Sequence, residues 1–316
     1  MTVALVTGAT GQDGSYLVDR LLAEGVRVHG LVRPGDEVRA DGWTPHAVDL
    51  ADRAGLRALV LRLAPDELYN LGGISSVARS WAEPELTVEL SGLAPVTLLD
   101  AALAVQETAG RPVRVVQASS AEIFGHPDRV PQDESTPVAP RNPYGVAKAL
   151  AHHAAAVYRG RGLHVTSCVL FNHESPRRPT TFVTRKITRG AARIALGLDD
   201  TLVLGNLEAR RDWGWAPDYV DAMVRAARHD HAVDWVVATG RAHSVAEFVA
   251  AAFAAAGLDD WERHVRVDPA LLRTGDAPEL VGDPGRAERE LGWRRTHDLT
   301  GLVAAMVAHD LAHPEG

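Results

Sequence analysis

Apolar and polar positions along the chain alternate in blocks. Short runs of β-branched residues are separated by longer stretches of Ala, Leu and Arg whose apolar positions recur at helical spacing. This pattern predicts strands at Val3 to Thr7, Arg27 to Val32, Glu67 to Leu71, Arg114 to Ala118 and His164 to Phe171. Helices are predicted over Gly14 to Glu24, Gly55 to Leu63, Ala94 to Thr108 and Tyr144 to Gly160. A βαβ series of this kind makes a parallel sheet, whose ligands collect at the carboxyl ends of its strands. The fold class expected is therefore α/β, a Rossmann-type doubly wound parallel sheet with a smaller α/β lobe toward the C-terminus. The rhythm breaks after Phe171 into a Pro- and Arg-rich segment, Glu174 to Pro179, then an amphipathic helix and scattered strands. A strand at Trp235 to Thr239 and a helix at Ser244 to Ala256 are expected to return to the sheet, and a helix near Leu299 to Leu311 closes the chain. The division expected is 1–172 with about 210–256 for a dinucleotide-binding domain, and about 173–209 with 257–316 for a substrate lobe.

Composition narrows the partners. The 33 basic and 41 acidic residues give a net charge of −8, and no short window is dominated by Lys and Arg, which argues against nucleic acid. Val3 to Val6 is too short for a signal peptide or membrane span and runs straight into a glycine turn, so a cytoplasmic protein without a membrane partner is expected. Cys168 is the only cysteine, and in its apolar run it reads as a buried thiol. His152 and His153 are adjacent and so point to different sides of a helix. No metal site is expected, since no cluster has ligand spacing. Trp213 and Trp215 read as packing beneath the lobe, with base stacking as the alternative.

The first glycine turn follows a strand and opens a helix. Gly8, Gly11 and Gly14, with Thr10, Gln12 and Asp13 between them, form G-x-x-G-x-x-G. Glycines there permit a tight turn and close approach to a pyrophosphate, which a helix N-terminus favours. A bland turn is the alternative, and the strand-to-helix context favours the dinucleotide. At the end of the second strand stands Arg33, suited to the 2′-phosphate of NADP; otherwise it is a solvated surface arginine. NADP is therefore the cofactor expected, with NAD as the alternative. Asp49 and Leu50 close a further run, Asp49 toward the adenine amino group, and Leu71 and Gly72 end the next strand beside the dinucleotide.

Tyr144 and Lys148 are four apart and share one helix face. An ammonium and a bound nicotinamide near the phenol are expected to lower its pKa and make it a base toward a sugar hydroxyl, with Ser120 holding the same hydroxyl. Glu122, two residues on, is placed to take a carbon-bound proton; its alternative is a solvated loop glutamate.

These residues carry a resemblance to the extended short-chain dehydrogenase/reductases and, within them, over nearly the full length, to the GDP-mannose 4,6-dehydratase family. The matching runs are Thr7-Gly8-Ala9-Thr10-Gly11-Gln12-Asp13-Gly14-Ser15-Tyr16-Leu17, Gln117-Ala118-Ser119-Ser120-Ala121-Glu122 and Phe171-Asn172-His173-Glu174-Ser175-Pro176-Arg177-Arg178. Further matches are Phe182-Val183-Thr184-Arg185-Lys186-Ile187, Leu204-Gly205-Asn206 and Arg211-Asp212-Trp213-Gly214. The first two occur in many sugar-nucleotide enzymes; the Asn172 to Arg178 run is far more specific. The resemblance implies a hydro-lyase acting on a nucleotide sugar, GDP-mannose, through an internal redox cycle. In that cycle Tyr144 deprotonates the 4-hydroxyl, Glu122 takes the proton at carbon 5, water leaves carbon 6, and the cofactor ends as it began. It also implies that Asn172 meets the sugar or diphosphate, Val183 and Lys186 the guanine, Arg211 and Arg273 the phosphates, and Asp276 the ribose. A 4-epimerase on the same scaffold is the alternative, and Glu122 separates the two; a non-catalytic cofactor-binding regulator ranks last because Tyr144 and Lys148 are both present. Ser120 replaces the family's usual threonine, Ser76 a histidine found in many relatives, and Asp276 a glutamate. Trp215 and Pro217 follow Arg211-Asp212-Trp213 where some relatives have histidine and lysine. The segment Pro34 to His46 is short where the family carries a longer basic loop joining subunits. A homodimer, built on the helices near Ala94 to Thr108 and Tyr144 to Gly160, is therefore expected rather than a tetramer.

Overall fold

Seven parallel strands form the spine of the computed structural model, which describes residues 1–271 and 279–315. Their chain order is β1 (Val3–Thr7), β2 (Arg27–Val32), β3 (Thr44–Ala47), β4 (Glu67–Asn70), β5 (Arg114–Ser120), β6 (His164–Leu170) and, after three strands in the second layer, β10 (Asp234–Val237). Those three are β7 (Asn172–Glu174), β8 (Leu202–Leu204) and β9 (Arg210–Trp215), followed after β10 by β11 (Ala242–Ser244), β12 (Val265–Val267) and β13 (Glu279–Leu280). The helices are α1 (Gln12–Ala23), α2 (Arg53–Leu63), α3 (Val77–Ala82), α4 (Pro84–Val88), α5 (Ala94–Ala109), α6 (Pro143–Gly160), α7 (Val183–Ala195), α8 (Ala216–Arg228), α9 (Val245–Ala255), α10 (Gly285–Glu290) and α11 (Leu299–Ala312).

The large sheet runs β3-β2-β1-β4-β5-β6-β10, so strand order reverses between β1 and β4. At such a switch point the two adjoining loops diverge and leave a crevice at the carboxyl edge. One face of the sheet buries Leu17, Val18 and Leu21 of α1 with Met223 and Val224 of α8. The other buries Leu56 and Leu59 of α2 with Leu98, Leu99 and Ala102 of α5. A turn of π-helix, Glu89–Leu93, links α4 to α5 and makes one apolar helix of Pro84–Ala109, which is packed into this layer. The helix starts are written in the sequence: Asp52 and Asn142 accept from the backbone N–H of Gly55 and Gly145, and Ser244 with Glu247 forms a reciprocal capping box.

β3 was not anticipated. Thr44-Pro45-His46-Ala47 carries no apolar alternation because it is an exposed edge strand, where a proline and polar residues are tolerated. The expectation that the helix after β10 returns to the large sheet is corrected. β10 joins it, whereas Phe248, Val249, Ala252 and Phe253 of α9 pack with Ile187 of α7, Met306 of α11 and Trp213 in the lobe. β9, at the start of the 210–256 stretch, likewise lies in the small sheet with β7, β11 and β13. In the opposite sense, Ala287 of α10, Leu291 and Trp293 pack beneath the large sheet. Trp213 meets Phe248 edge to face at 5.1 Å, the packing role expected of it.

The two layers are pinned by Asp212 of β9, whose fully buried carboxylate accepts from Thr239 N (2.8 Å), Thr239 Oγ1 (2.6 Å), Gly240 N (2.9 Å) and Gly282 N (3.3 Å). Burial raises the pKa of this carboxyl and the four donors oppose that shift.

Candidate active site

The carboxyl ends of β1, β4 and β5 are joined by a buried polar chain. Thr7 Oγ1 donates to Asn70 Oδ1 (2.7 Å), Asn70 Nδ2 to Gln117 Oε1 (2.7 Å), and Thr7 Oγ1 accepts from the N–H groups of Leu71 (3.0 Å) and Gly72 (2.9 Å). These bonds press the Leu71–Gly72 turn against the first glycine loop. Gly8 has φ +67°, and a Cβ on it would lie 3.1 Å from the Gly72 backbone. A Cβ on Gly14 would sit 2.0 Å from the Gly8 carbonyl oxygen. α1 therefore starts directly on the loop, and its N-cap, Gly11, provides no side-chain hydrogen bond. Close-set glycines at a helix N-terminus without a side-chain cap fit a diphosphate. Arg33 follows β2 with its side chain 83% exposed and pairs with Asp36 at 3.2 Å. Asp49 follows β3, exposed, accepting from Ala51 N–H, and Leu50 packs toward Gly72.

Beyond the crevice opens a cavity of about 700 Å³. Asp13, Leu71, Ser120, Glu122, Tyr144, Lys148, Asn172, Val183, Lys186 and Arg211 all line it, so the residues singled out for chemistry and for the sugar nucleotide converge where they are described. Gly8, Thr10, Gly11 and Gly72, with Arg33, Asp49 and Leu50, lie outside its lining on the loops that follow the strands, and Gln12 and Gly14 lie outside it in the first turn of α1. Arg273 and Asp276 lie outside the described residues.

α6 sets the catalytic geometry. Asn142 caps it with its carbonyl and, through its amide, donates to Glu122 Oε2 at 2.8 Å. One side chain thus fixes both the start of the Tyr144 helix and the carboxylate of Glu122. Tyr144 is hydrogen-bonded to Ser120, and Lys148 donates to Ala118 O at 2.9 Å with its ammonium 5.8 Å from the centre of the Tyr144 ring. Burial dominates and lifts Tyr144 to about 12, against the pull of the Ser120 hydrogen bond. Burial also lowers Lys148 to about 8.

Sequence reasoning left three ionisable cavity residues without a role: His173, Glu174 and Arg178. His173 Nδ1 faces Phe171 O (2.7 Å) and Nε2 faces Asp13 Oδ2 (2.9 Å). Both partners only accept, so the ring donates from both nitrogens as an imidazolium. Burial works against that charge, but the Asp13 carboxylate outweighs it and raises the His173 pKa. Asp13 is lowered in turn, because His173 and Arg178 overcome the upward effect of burial. Tyr219 stacks on the imidazole at 4.5 Å. Arg178 lies over the Phe182 ring at 3.8 Å and 3.3 Å from Glu174 Oε2, which also accepts from Thr184 Oγ1 at 2.6 Å. The usable signal was position: charged residues immediately after the carboxyl end of a central strand. The side chains of Gln12 and Asp13 are turned toward 173–175. Ser76 caps α3, accepting from Arg79 N–H at 3.2 Å, on the opposite cavity wall.

Comparison with known proteins agrees with this geometry. Residues 5–306 match the family model described as GDP-mannose 4,6 dehydratase. GDP-mannose 4,6 dehydratase 1 of Arabidopsis thaliana is 41% identical over 98% of this chain and 90% of its own length. GDP-mannose 4,6-dehydratase of Vibrio cholerae serotype O1 is 39% identical over 98% and 93%. Among solved structures, the UDP-glucose 4-epimerase of Thermus thermophilus in complex with NAD superposes with a TM-score of 0.84 at 28% identity, covering 98% of both chains. With the fold, the Tyr144–Lys148–Ser120 cluster and Glu122 in one cavity, and this extent of similarity, the chain belongs to the GDP-mannose 4,6-dehydratase family.

Proposed function

We propose that the protein removes water from GDP-mannose, giving GDP-4-keto-6-deoxymannose. The observation that carries the reading is the placement of two distinct proton acceptors, Tyr144 and Glu122, in one cavity with Asn142 holding the second. A bound nicotinamide supplies the hydride acceptor and donor. Lys148 places positive charge beside Tyr144 and stabilises its phenolate, which takes the proton of the 4-hydroxyl that Ser120 orients and becomes the phenol. The 4-ketone acidifies the carbon-5 hydrogen, which Glu122 accepts as a proton and passes to the hydroxyl leaving carbon 6 as water; the alkene left between carbons 5 and 6 would take hydride back at carbon 6 and the proton held by Tyr144 at carbon 5, so the cycle closes. A 4-epimerase needs no second acceptor, and Glu122 favours the dehydratase over it.

Incubating the purified protein with GDP-mannose tests this. A product lighter by one water, with the absorbance of a keto sugar in base and no net change in cofactor redox state, is expected. A product of unchanged mass and new stereochemistry would sink the proposal. Glu122→Gln is expected to slow water loss by about 10²- to 10⁴-fold with cofactor affinity unchanged; retained turnover removes Glu122 from the mechanism.

The cofactor is read as NADP. Arg33 stands at the end of β2, and its surface pair with Asp36 is one a 2′-phosphate would replace. Arg33→Ala is expected to weaken NADP binding about tenfold, the size of one exposed charge-assisted contact, and to leave NAD affinity alone. Equal loss for both cofactors would show that Arg33 does not read the phosphate. The substrate contacts follow the same reading: Asn172 at the sugar or diphosphate, Val183 and Lys186 at the base, Arg211 and Arg273 at the phosphates, Asp276 at the ribose. A homodimer is part of the proposal, supported by Val146, Leu150 and Val157, which leave an apolar stripe exposed on α6 beside Leu93. A cytoplasmic setting goes with it, supported by the wholly buried thiol of Cys168.

A further inference from the structure

The first turns of α1 are bonded to the strand segment that opens the substrate lobe, far more than packing alone requires. Gln12, itself buried, donates through Nε2 to His173 O at 3.0 Å and accepts at Oε1 from Ser175 Oγ at 2.9 Å. Ser175 Oγ also accepts from Arg177 N–H at 3.1 Å. Arg177 reaches back to α1, with Nη1 3.1 Å from Ser15 Oγ, Nη2 2.8 Å from Asp19 and its guanidinium 4.0 Å from the centre of the Tyr16 ring. The far side of the same segment is tied to α7: Arg185, buried against Asp310 of α11, donates to Pro176 O at 3.1 Å. One end of this assembly is the glycine loop, and the other is the helix carrying Val183 and Lys186.

We infer that Gln12, Ser175 and Arg177 are positioning residues that hold the cofactor helix and the substrate strand in a single register, so that occupancy of either site tightens the other. The inference rests on the reading of the glycine loop as the dinucleotide site and of the lobe as the nucleotide-sugar site. Physically, the loop after β1 sets where a hydride acceptor sits, and β7 with α7 sets where the sugar sits. A relative shift of about 1 Å between reacting atoms is enough to lower a rate about 100-fold. A polar interface with its donors and acceptors matched has few alternative registers, because sliding it strands buried polar groups. Because the two segments move as one, a displacement that one ligand imposes on its own side is carried to the other, and the coupling is reciprocal.

The test uses the full chain, NADP and GDP. In the wild type, GDP is expected to bind at least about fivefold tighter to NADP-saturated than to NADP-free protein, with the same factor for NADP when GDP is saturating. In Ser175→Ala with Arg177→Ala, each ligand measured alone should bind within about threefold of wild type, while the coupling falls below about twofold. The kcat for GDP-mannose, expressed per folded enzyme from the stoichiometry of NADP binding, should fall about tenfold with KM nearly constant; the correction removes the drop in apparent kcat that a smaller folded fraction would give. Arg177→Ala alone, at a half-exposed side chain that the fold tolerates losing, should give an intermediate coupling, and Ser175→Thr should restore it. A variant pair that keeps full coupling overturns the inference, as does a wild type that binds both ligands independently; in either case the functional reading stands. Failure of the wild type to bind NADP and GDP at all overturns both.

Discussion

Tyr144→Phe lowers kcat about a thousandfold, the effect expected for removing a positioned general base, with the thermal midpoint near that of the wild type. The phenol hydroxyl is lost but the ring remains in its buried seat, so packing barely changes. Burial holds Tyr144 near 12, and the Ser120 hydrogen bond is what opposes it. The phenol therefore stays protonated at neutral pH until positive charge gathers beside it. Lys148 supplies one such charge: burial lowers it to about 8, so most of it is still an ammonium at neutral pH, kept in place by Ala118 O. Product formation followed by mass, alongside thermal unfolding, checks the expectation. A loss of less than tenfold would mean that another group takes the 4-hydroxyl proton.

Gly14→Ala should abolish useful cofactor affinity, weakening it by at least about 100-fold, and cost about 1–3 kcal/mol of stability. The added methyl would lie 2.0 Å from Gly8 O and 2.8 Å from Ala9 Cα. Both obstacles are backbone, so no side chain can move aside; the loop itself must open, and the helix start is carried away from the position where its N–H groups meet a diphosphate. Gly11→Ala is the internal control, because there the nearest atom is 3.3 Å away, tight but within the reach of a small adjustment. Titration of both variants with NADP, together with chemical denaturation, separates the outcomes. Wild-type affinity in Gly14→Ala would contradict the role given to the loop.

Much of the sheet was legible because β1, β2, β5 and β6 are largely buried and so carry apolar, β-branched runs. β3 escaped notice for the complementary reason, being exposed and at an edge. The assignment of α9 to the wrong layer shows a different limit. Helical spacing says that a face is apolar, but only the partners available to Phe248 and Phe253 decide which layer receives it. In the site, Tyr144, Lys148, Ser120 and Glu122 were readable from spacing on one helix and at one strand end. The weight of burial on Tyr144 was not, since desolvation depends on everything packed around the phenol. His173 was likewise hidden, because its charge comes from Asp13, 160 positions earlier in the chain.

The Asp212 carboxylate, gathering donors from Thr239, Gly240 and Gly282, bears on how such a protein can change over time. The lobe is drawn from three separated stretches of chain, and this one buried acid sews two of their boundaries to the parent sheet. Such a lobe cannot be swapped as a cassette by recombination at a single pair of crossover points, since any exchanged piece arrives without the donors its neighbours expect. New substrate preferences on this scaffold must instead come by substitutions scattered along the cavity wall.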